Sequence, residues 1–363
     1  MSQRAFPLPP GSVIGVLGGG QLGRMLAMAA ARLGFDVAVL DPEDGAPAHR
    51  VAAHAIVGNY DDRAALETLA GIADVITFEF ENVPARAIDI LEAAGAAVAP
   101  SGRSLAIAQD RLDEKRFLND AGAPTVAFAE VGGADDIVAA LEKLGRPLLI
   151  KGRRGGYDGK GQAWIQQPRE AKAVFEAIGG HSAIAEAPAD FRRELSVIAA
   201  RGRNGEIALY PLAENHHEGG ILRRTVAPAV VSAQTLAQAE RIAATLLAAL
   251  DYVGVIGVEL FERDDGRLLV NEFAPRVHNT GHWTLDGCEV DQFEQHVRAI
   301  AGWPLGPTDA IARVEMTNLI GAEANDWPKL AAEPETRLWL YGKAEVRPGR
   351  KMGHINRLTP LRG

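Results

Sequence analysis

Apolar and polar segments alternate along the first hundred residues at the lengths of strands and helices. Short apolar runs predict four strands, and amphipathic runs predict the helices between them. The predicted strands cover residues 12–17, 35–41, 55–57 and 75–78, and the predicted helices cover residues 21–33 and 62–70. Strands that alternate with helices are typical of a parallel sheet. We therefore predict an α/β domain at the start of the chain.

The most informative pattern is a predicted β-hairpin within residues 255–283. Apolar residues recur at every second position from 256 to 260, which is the period of a half-buried strand. The dipeptide Asp265-Gly266 predicts a two-residue type I′ turn, because both central residues of that turn need a positive φ. The hairpin register follows from this turn.

A two-residue turn places Asp264 opposite Arg267, and counting back along both strands places Glu259 opposite Glu272. Side chains of directly opposed residues share one sheet face, with Cβ atoms roughly 5 Å apart. Because like charges at that distance repel, we expect a divalent cation between them, and hard oxygen ligands suit Mg²⁺. The alternative is two solvated acids on an exposed sheet face.

The segment after the second hairpin strand, residues 273–283, is dense in cationic and hydrogen-bonding side chains. Arg276 and His278 lie at its centre. A positive loop at the end of a strand favours an anionic ligand. This neighbourhood makes the metal interpretation of the two glutamates the stronger one.

A second candidate site lies in the middle of the chain. Residues 147–151 form an apolar strand that ends in Lys151, and an ammonium there needs an anionic partner. Residues 152–162 follow with five glycines, whose N–H groups can close over phosphates. The run is not a Walker loop, because Gly161 stands where Ser or Thr should bind magnesium and residues 163–165 predict a strand. We predict a nucleotide-binding lid between two strands; a flexible surface loop is the alternative.

A glycine-rich turn follows the first predicted strand. Gly18, Gly20 and Gly23 match G-x-G-x-x-G, and Asp41 lies near the end of the second strand. This is the dinucleotide fingerprint in its expected context. Such a turn can also receive a phosphate, another anion or nothing, so a nicotinamide-dependent oxidoreductase is only one alternative.

Four polar or tip residues of this domain are candidate substrate contacts. Gln21 and Leu22 lie at the tip of the glycine turn. Glu81 and Asn82 follow the strand at 75–78, and the carboxyl ends of strands are where α/β sheets bind ligands. The alternative for Asn82 is to cap the helix that begins near Pro84.

The remaining pattern predicts helices, strands and one polar loop. The predicted helices cover residues 101–118, with Asp110 and Arg111 inside, 134–144 and 235–250; the predicted strands cover 182–187, 191–199, 206–210, 312–320 and 337–341. Residues 214–220 read as a polar loop whose adjacent histidines lack metal-site spacing. A basic run closes the chain, either as a solvated tail or as a phosphate anchor: Lys343, Arg347, Arg350, Lys351, His354 and Arg357.

Composition limits the class of protein. The chain has 363 residues with 47% hydrophobic and 23% charged residues, which is ordinary for a soluble globular protein. Its formal net charge of −9 argues against a nucleic-acid binder. Cys288 is the single cysteine, so no disulfide forms within the chain and a reducing cytosol is expected. No apolar run is long enough to cross a membrane, and the first twelve residues read as a loose tail and not as a signal peptide.

Several segments together resemble the N5-carboxyaminoimidazole ribonucleotide synthetases of the ATP-grasp superfamily. They are GGGQLGRM at 18–25, FEFENVP at 78–84, GYDGKGQ at 156–162, FRREL at 191–195, ILRRTVAPA at 221–229 and NEFAPRVHNTGHWT at 271–284. The segments occur in the family's order over nearly the whole chain. The resemblance implies an ATP-grasp architecture, which is mixed α/β and α+β. It implies a Rossmann-like domain over residues 1–110, an ATP-grasp domain over 111–303 with a lid subdomain at about 111–187, and a small C-terminal domain over 304–363.

The resemblance also implies a reaction. ATP and bicarbonate form carboxyphosphate and ADP, and the amine of 5-aminoimidazole ribonucleotide then takes up the carboxyl group in a step of purine biosynthesis. Mg²⁺ is the implied metal, and Glu259 and Glu272 match its ligands. The implied partners are small molecules, with neither nucleic acid nor membrane. A cytoplasmic homodimer is expected.

Residue roles are carried over from the same resemblance. Catalytic residues would be Tyr157, Asp158, Arg276 and His278. The ATP site would comprise Arg111, Lys151, Gly156, Tyr157, Asp158, Gly159, Lys160, Gly161, Gln162, Glu186, Ala187, Pro188, Ala189, Glu194, His217, Asn271 and Glu272. Substrate contacts would be Gln21, Leu22, Glu81, Asn82, Lys343 and Arg350. The alternatives are a formate-dependent glycinamide ribonucleotide ligase of the same superfamily, the oxidoreductase, and a nucleotide sensor without catalysis.

Overall fold

The computed structural model describes residues 5–155 and 161–361. The helices are α1 Gln21–Arg32, α2 Arg63–Ile72, α3 Ala85–Ala93, α4 Gly102–Ala108, α5 Arg111–Asp120, α6 Ala134–Leu144, α7 Ala171–Ala177, α8 Ala233–Ala249, α9 Thr284–Gly287, α10 Gln292–Ala301 and α11 Trp327–Ala331. The strands are β1 Val13–Leu17, β2 Asp36–Asp41, β3 His54–Val57, β4 Val75–Phe78, β5 Phe128–Val131, β6 Leu148–Gly152, β7 Gln162–Ile165, β8 Ala183–Glu186, β9 Arg193–Arg201, β10 Ile207–Leu209, β11 Ala213–Glu218, β12 Ile221–Ala227, β13 Gly254–Glu262, β14 Leu268–Ala274, β15 Arg313–Ile320, β16 Thr336–Leu340 and β17 Lys351–Thr359.

The N-terminal strands form a parallel sheet in the order β3-β2-β1-β4. Leu17, Leu40 and Phe78 are fully buried on this sheet, because parallel strands are covered by helices on both faces. Leu66 of α2 packs with them, whereas α1 packs on the core shared with α10. The predicted α/β organisation is confirmed.

The lid strands form a separate antiparallel sheet in the order β5-β8-β6-β7. β6 pairs directly with β7, with Lys151 opposite Gln162, so the predicted strand–loop–strand arrangement is confirmed. Gly152 N donates to Gly161 O at 2.9 Å and closes the base of the loop. The predicted site residues Gly156, Tyr157, Asp158, Gly159 and Lys160 lie outside the described residues.

The third sheet runs β14-β13-β9-β11-β12-β15-β17-β16, with β10 paired to β9. The C-terminal strands β15, β17 and β16 extend this sheet through the pairing of β12 with β15. The sheet therefore carries the hairpin at one end and the C-terminal strands at the other. The domain boundaries given above stay a prediction.

One prediction and one alternative in this region are wrong. The predicted polar loop at 214–220 is largely strand β11, which pairs on both sides with β9 and β12. The solvated-tail alternative for the basic run fails because the run enters strand β17, where His354 and Asn356 are fully buried. In both segments tertiary pairing outweighs a polar composition that is unfavourable for strands.

The predicted helix over residues 101–118 is two helices, because Asp110 interrupts it. The Asp110 side chain accepts from Leu112 N at 3.1 Å and caps α5, as Asp commonly does at helix starts. Arg153 and Arg154 pair with the same carboxylate at 2.8 and 3.1 Å. The start of the lid loop is thus tied to the start of α5.

The loose tail predicted for the first twelve residues is wrong where the structure describes it. Leu8 is buried, its N–H donates to Ala301 O at 2.9 Å, and Trp303 Nε1 donates to Leu8 O at 2.8 Å. The Arg203 guanidinium lies 3.5 Å from the centre of the Phe6 ring. The segment has apolar residues that pack, so its proline content did not make it loose.

Two glycine-to-alanine substitutions in helices should have opposite effects on stability. A Cβ at Gly23 of α1 would lie 2.5 Å from Gly18 O, whereas a Cβ at Gly71 of α2 meets nothing within 4 Å. Gly23→Ala should lower the free energy of unfolding by about 1–3 kcal/mol through overpacking. Gly71→Ala should raise it by roughly 0.5–1 kcal/mol through helix propensity. Urea unfolding measures both, and a stabilising Gly23→Ala would contradict the packing of the turn.

Candidate active site

The hairpin places the two predicted glutamates opposite one another. Glu259 of β13 pairs with Glu272 of β14 in the observed register. The predicted turn, however, is wrong. Gly266 has φ 77° and Arg263 N donates to Arg267 O, so the loop has three residues and not two.

A β-bulge reconciles the longer turn with the predicted pair. Near the turn the strands are shifted by one residue, with Leu260 opposite Val270. The shift is reversed between Glu259 and Leu260, because Asn271 has no partner residue on β13. Such a bulge sets two residues against one and locally re-aims side chains. The predicted pairing of Glu259 with Glu272 is therefore confirmed. The loop is one residue longer than predicted, and the bulge at Asn271 compensates for that shift.

The two carboxylates have unequal surroundings. The Glu259 side chain is 16% exposed and the Glu272 side chain 45%. Burial, and next the charge of Glu272, raise the pKa of Glu259 from 4.5 to about 7. Asn271 Nδ2 lies 3.4 Å from Glu259 Oε2. The site therefore holds negative charge at a free-energy cost, which a bound cation would remove.

One cationic side chain contacts Glu272 directly, and two others meet at Glu186 of the lid sheet. Arg111 Nη1 lies 3.5 Å from Glu272 Oε2. Lys151 Nζ lies 2.6 Å from Glu186 Oε2, and Lys115 Nζ lies 3.3 Å from Glu186 Oε1. Burial by itself would raise the pKa of Glu186, but the two ammonium groups outweigh it and lower that pKa. The anionic partner expected for Lys151 is thus Glu186 in this structure.

A histidine–carboxylate pair lies beside the hairpin. His217 Nδ1 is 2.5 Å from Glu194 Oε2, and β9 carries Glu194 next to β13. Burial would lower the pKa of His217, but the bond to Glu194 and the charge of Glu259 raise it. The ring therefore keeps its proton more readily than a free histidine, with two carboxylates near it.

Arg276 joins the loop after the hairpin to the N-terminal domain. Its guanidinium binds the Glu81 carboxylate directly, so two residues predicted from distant segments meet. Asn82 is exposed in the adjacent turn. The N-cap position of the following helix is Pro84 and no side chain caps it, so the capping alternative for Asn82 is wrong. Burial, and then the charge of Arg276, hold the pKa of His278 well below its usual value. His278 Nε2 faces Glu259 Oε1 at 3.8 Å.

The C-terminal strands reach the same region through Lys351. The Lys351 charge is one of those that lower the pKa of His278, after burial and Arg276. Lys343 Nζ donates to Lys351 O at 2.8 Å, which places Lys343 at the site's edge. Arg350 is different, since its described hydrogen bonds are with Glu345 O, Arg347 O and Gly321 N.

Comparison with known proteins matches nearly the whole length of the chain. Residues 12–109 match the ribonucleotide synthetase preATP-grasp domain, residues 116–293 the ATP-grasp domain, and residues 315–361 the phosphoribosylaminoimidazole carboxylase C-terminal domain. The N5-carboxyaminoimidazole ribonucleotide synthase of Brucella melitensis is 52% identical over 97% of this chain and 98% of its own. The synthase of Bacillus subtilis is 43% identical over 95% of this chain and 91% of its own.

This chain belongs to the N5-carboxyaminoimidazole ribonucleotide synthase family.

Solved structures of this family agree with the fold. An ADP complex of an N5-carboxyaminoimidazole ribonucleotide synthetase has a TM-score of 0.94 and 38% identity, covering 99% of this chain and 94% of that one. The Aspergillus clavatus enzyme, in complex with ADP and 5-aminoimidazole ribonucleotide, has a TM-score of 0.91 and 32% identity, covering 97% and 94%. The ATP-grasp architecture is therefore confirmed.

In this member of the synthase family the glycine-rich turn is filled by the protein's own carboxylates. Glu79 accepts from Gly20 N at 2.8 Å and Gly23 N at 3.3 Å. Asp41 accepts from Gly19 N at 2.6 Å and from the Tyr60 hydroxyl at 2.9 Å. A dinucleotide needs those amides for its pyrophosphate and that acid for its ribose, so the fingerprint does not form a nicotinamide site here.

Sequence reasoning missed three residues that the fold brings to the synthase site: Glu79, Glu114 and Lys115. Glu114 Oε1 accepts from Phe273 N at 2.8 Å, and burial, followed by the Glu272 charge, raises the pKa of Glu114 to about 8. The helical spacing of Arg111, Glu114 and Lys115 was the one available signal.

The raised pKa of Glu259 predicts how the stability of the metal-free protein depends on pH. Between pH 4.5 and 7 folded Glu259 holds a proton that unfolded Glu259 has lost, so stability falls as pH rises through this window. The expected loss is on the order of 2–3 kcal/mol relative to Glu259→Gln. Urea unfolding at several pH values measures it, with Glu315→Gln as the exposed control. Equal pH slopes for wild type and Glu259→Gln would contradict the prediction.

Proposed function

We propose that the protein carboxylates the amine of 5-aminoimidazole ribonucleotide with ATP and bicarbonate, giving N5-carboxyaminoimidazole ribonucleotide, ADP and phosphate. The observation that carries this is the facing pair Glu259 and Glu272, with Arg111 in contact with Glu272 and Arg276 near it, in a chain of this family. Transfer of a phosphoryl group from a metal–nucleotide complex requires acids that hold the metal and cations that neutralise the phosphates.

The two facing carboxylates fit Mg²⁺. Both are hard oxygen donors, and Asn271 contributes an amide to Glu259. Among the described residues no group of three or more His, Cys, Asp and Glu side chains is arranged to hold a metal by itself. Mg²⁺ is commonly bound by one or two carboxylates together with substrate phosphates and water. When bound, the metal neutralises charge that develops on the phosphates.

Arg111 and Lys151 are the proposed phosphate contacts. Each is held by a carboxylate, Glu272 and Glu186 respectively, and is therefore already placed in the cleft before a nucleotide arrives. The lid residues Gly156, Tyr157, Asp158, Gly159 and Lys160 are proposed to cover the phosphates. Gly161 and Gln162 form the end of that lid where it returns to β7.

The segment after β8 is proposed to contact adenine. Ala187 N already donates to Ala127 O at 2.9 Å, and Pro188 has no N–H. The amide of Ala189 is therefore the next N–H available to a ring nitrogen of the base, while the Glu186 side chain stays with the two lysines. Glu194, bonded to His217, is proposed to accept from the ribose hydroxyls.

The imidazole and bicarbonate are proposed to lie on the other side of the hairpin. Arg276 and His278 would contact the bicarbonate and the amine, together with Tyr157 and Asp158. Burial, and then the charge of Arg276, lower the pKa of His278. Its neutral ring is therefore proposed to accept a hydrogen bond from the amine and so orient it.

The ribonucleotide is proposed to extend from there towards the N-terminal and C-terminal strands. Glu81 and Asn82 would contact its ribose. Lys343 and Arg350 would bind its phosphate. Gln21 and Leu22 would contribute backbone N–H groups at the start of α1, since the Leu22 side chain is buried in the core. An N–H donor at a helix start suits a phosphate.

The proposed chemistry has two steps. A bicarbonate oxygen attacks the γ-phosphorus of ATP, the bond to ADP breaks, and carboxyphosphate forms. The amine nitrogen then bonds to the carboxyl carbon while the bond from that carbon to the phosphate oxygen breaks. The amine proton passes to the departing phosphate. The closed lid keeps water from carboxyphosphate, which would otherwise hydrolyse.

We also propose that the enzyme is a cytoplasmic homodimer with domains over 1–110, 111–303 and 304–363. The support is the family membership. No helix in residues 5–155 and 161–361 is long and apolar enough to cross a membrane. Sedimentation at micromolar concentration would test the dimer, and a single-chain mass would refute it.

The activity has a direct test. We expect ADP formation that requires Mg²⁺, bicarbonate and 5-aminoimidazole ribonucleotide together, measured by a coupled assay and by product mass. Formate with glycinamide ribonucleotide should not replace these substrates, and NADH should not bind. Absence of turnover with all three components present would refute the proposed function.

Glu272→Gln should abolish turnover in a protein that stays folded. Losing this carboxylate removes several kcal/mol of charge stabilisation, so kcat/KM for Mg·ATP should fall by about 100-fold or more. Glu315→Gln is the matched control, because Glu315 is similarly exposed and similarly paired with an arginine, Arg224 at 3.1 Å. Normal activity of Glu272→Gln would refute the metal assignment.

A further inference from the structure

Three side chains on one face of helix α5 contact three consecutive residues of strand β14. Arg111, Glu114 and Lys115 have the spacing that puts side chains on one helix face. Arg111 contacts the Glu272 carboxylate at 3.5 Å, and Glu114 Oε1 accepts from Phe273 N at 2.8 Å. The third contact is the most unusual, since Lys115 Nζ donates to the backbone oxygen of Asn271 at 2.7 Å.

That backbone oxygen belongs to Asn271, the bulge residue. Asn271 has no partner residue on β13, and a bulged residue is where the ladder is interrupted. Buried carbonyl groups need a hydrogen-bond donor. Lys115 supplies the donor immediately before Glu272, at the point that decides where the Glu272 side chain is directed.

The same ammonium reaches the lid sheet. Lys115 Nζ lies 3.3 Å from Glu186 Oε1 on β8, while Lys151 Nζ lies 2.6 Å from Glu186 Oε2. The Lys115 side chain is 3% exposed, so these partners must offset the free-energy cost of burying its ammonium group. The buried Lys115 ammonium thus connects the β13–β14 hairpin in one sheet, through Glu186, to Lys151 in another sheet.

We propose that Lys115 is a positioning residue for the reaction. It fixes the bulged carbonyl of Asn271 and therefore the direction of Glu272, and through Glu186 it sets where Lys151 lies relative to the metal carboxylates. This inference rests on the proposed function. It assigns Lys115 no contact with the substrate, so its effect should appear in metal use and not in ribonucleotide binding.

A purely stabilising role for Lys115 would have a different experimental result. If Lys115 served only to stabilise the fold, Lys115→Met would lower Tm and leave the magnesium dependence of the folded enzyme unchanged. A positioning role raises the Mg²⁺ concentration needed for half-maximal activity, because a misdirected Glu272 binds the metal more weakly.

The experiment compares full-length Lys115→Met with wild type and with Arg116→Met. Arg116 is the next residue on α5, is half exposed and pairs with Glu130 on the surface, so its variant loses the same charge from the same helix. For Lys115→Met we expect the half-maximal Mg²⁺ concentration to rise about tenfold or more, as for lost second-sphere support of a metal ligand. The KM for 5-aminoimidazole ribonucleotide should change less than about twofold. Arg116→Met should match wild type in both.

A double variant separates the carbonyl contact from charge balance. Lys115→Met/Glu186→Gln removes both charges of the pair, so it also serves if Lys115→Met does not fold. We expect the magnesium requirement of this double variant to stay raised, because the Asn271 carbonyl still lacks the Lys115 donor. A wild-type magnesium requirement in either variant would overturn the inference.

Calorimetric measurement of Mg·ADP binding tests the role of Lys115 independently of the proposed carboxylation. Binding of Mg·ADP can be measured without bicarbonate or ribonucleotide, and Lys115→Met should weaken it about tenfold. If wild type bound Mg·ADP but did not carboxylate the ribonucleotide, the function would fail while the positioning role stood. Equal Mg·ADP affinity of folded Lys115→Met and wild type would refute the positioning role alone.

Discussion

The structure depends on one electrostatic constraint, which is that two carboxylates are held opposite one another on adjacent antiparallel strands. The Glu259 side chain is mostly buried, whereas the Glu272 side chain is 45% exposed. The burial of Glu259 and the repulsion between the two make the charged pair unfavourable without a counter-ion. The cations near the pair include Arg111 of helix α5 and Arg276 of the loop after β14.

The neighbouring charges are paired within the protein in a way that a ligand can replace. Lys151 lies with Glu186, Arg276 with Glu81, and His217 with Glu194. Pairing keeps long cationic side chains ordered in the cleft, which lowers the entropy that binding must otherwise remove. In the N-terminal domain the amides of the glycine-rich turn likewise have partners within the protein, since Gly20 N donates to Glu79 and Gly19 N donates to Asp41.

Sequence reasoning succeeded where local pattern and tertiary structure agree. Alternating strands and helices, the strand–loop–strand lid and the opposed glutamates were all predicted from the residues. The exact turn was not, because Asp265-Gly266 is compatible with a two-residue and a three-residue loop, and the bulge at Asn271 leaves no local signal. Strand β11 was missed because its residues are mostly polar, whereas its backbone pairs on both sides within the sheet. Glu114 and Lys115 were missed because their partners lie more than a hundred and fifty residues away in the sequence.

The central claim is that metal nucleotide occupies the space between the facing carboxylates. The most direct measurement is a crystal of the protein with Mn²⁺ and a non-hydrolysable ATP analogue, examined by anomalous scattering from the metal. The account predicts an anomalous peak within bonding distance of both Glu259 and Glu272, with phosphate oxygens on the same ion. A nucleotide bound elsewhere, or a metal that touches neither carboxylate, would contradict it.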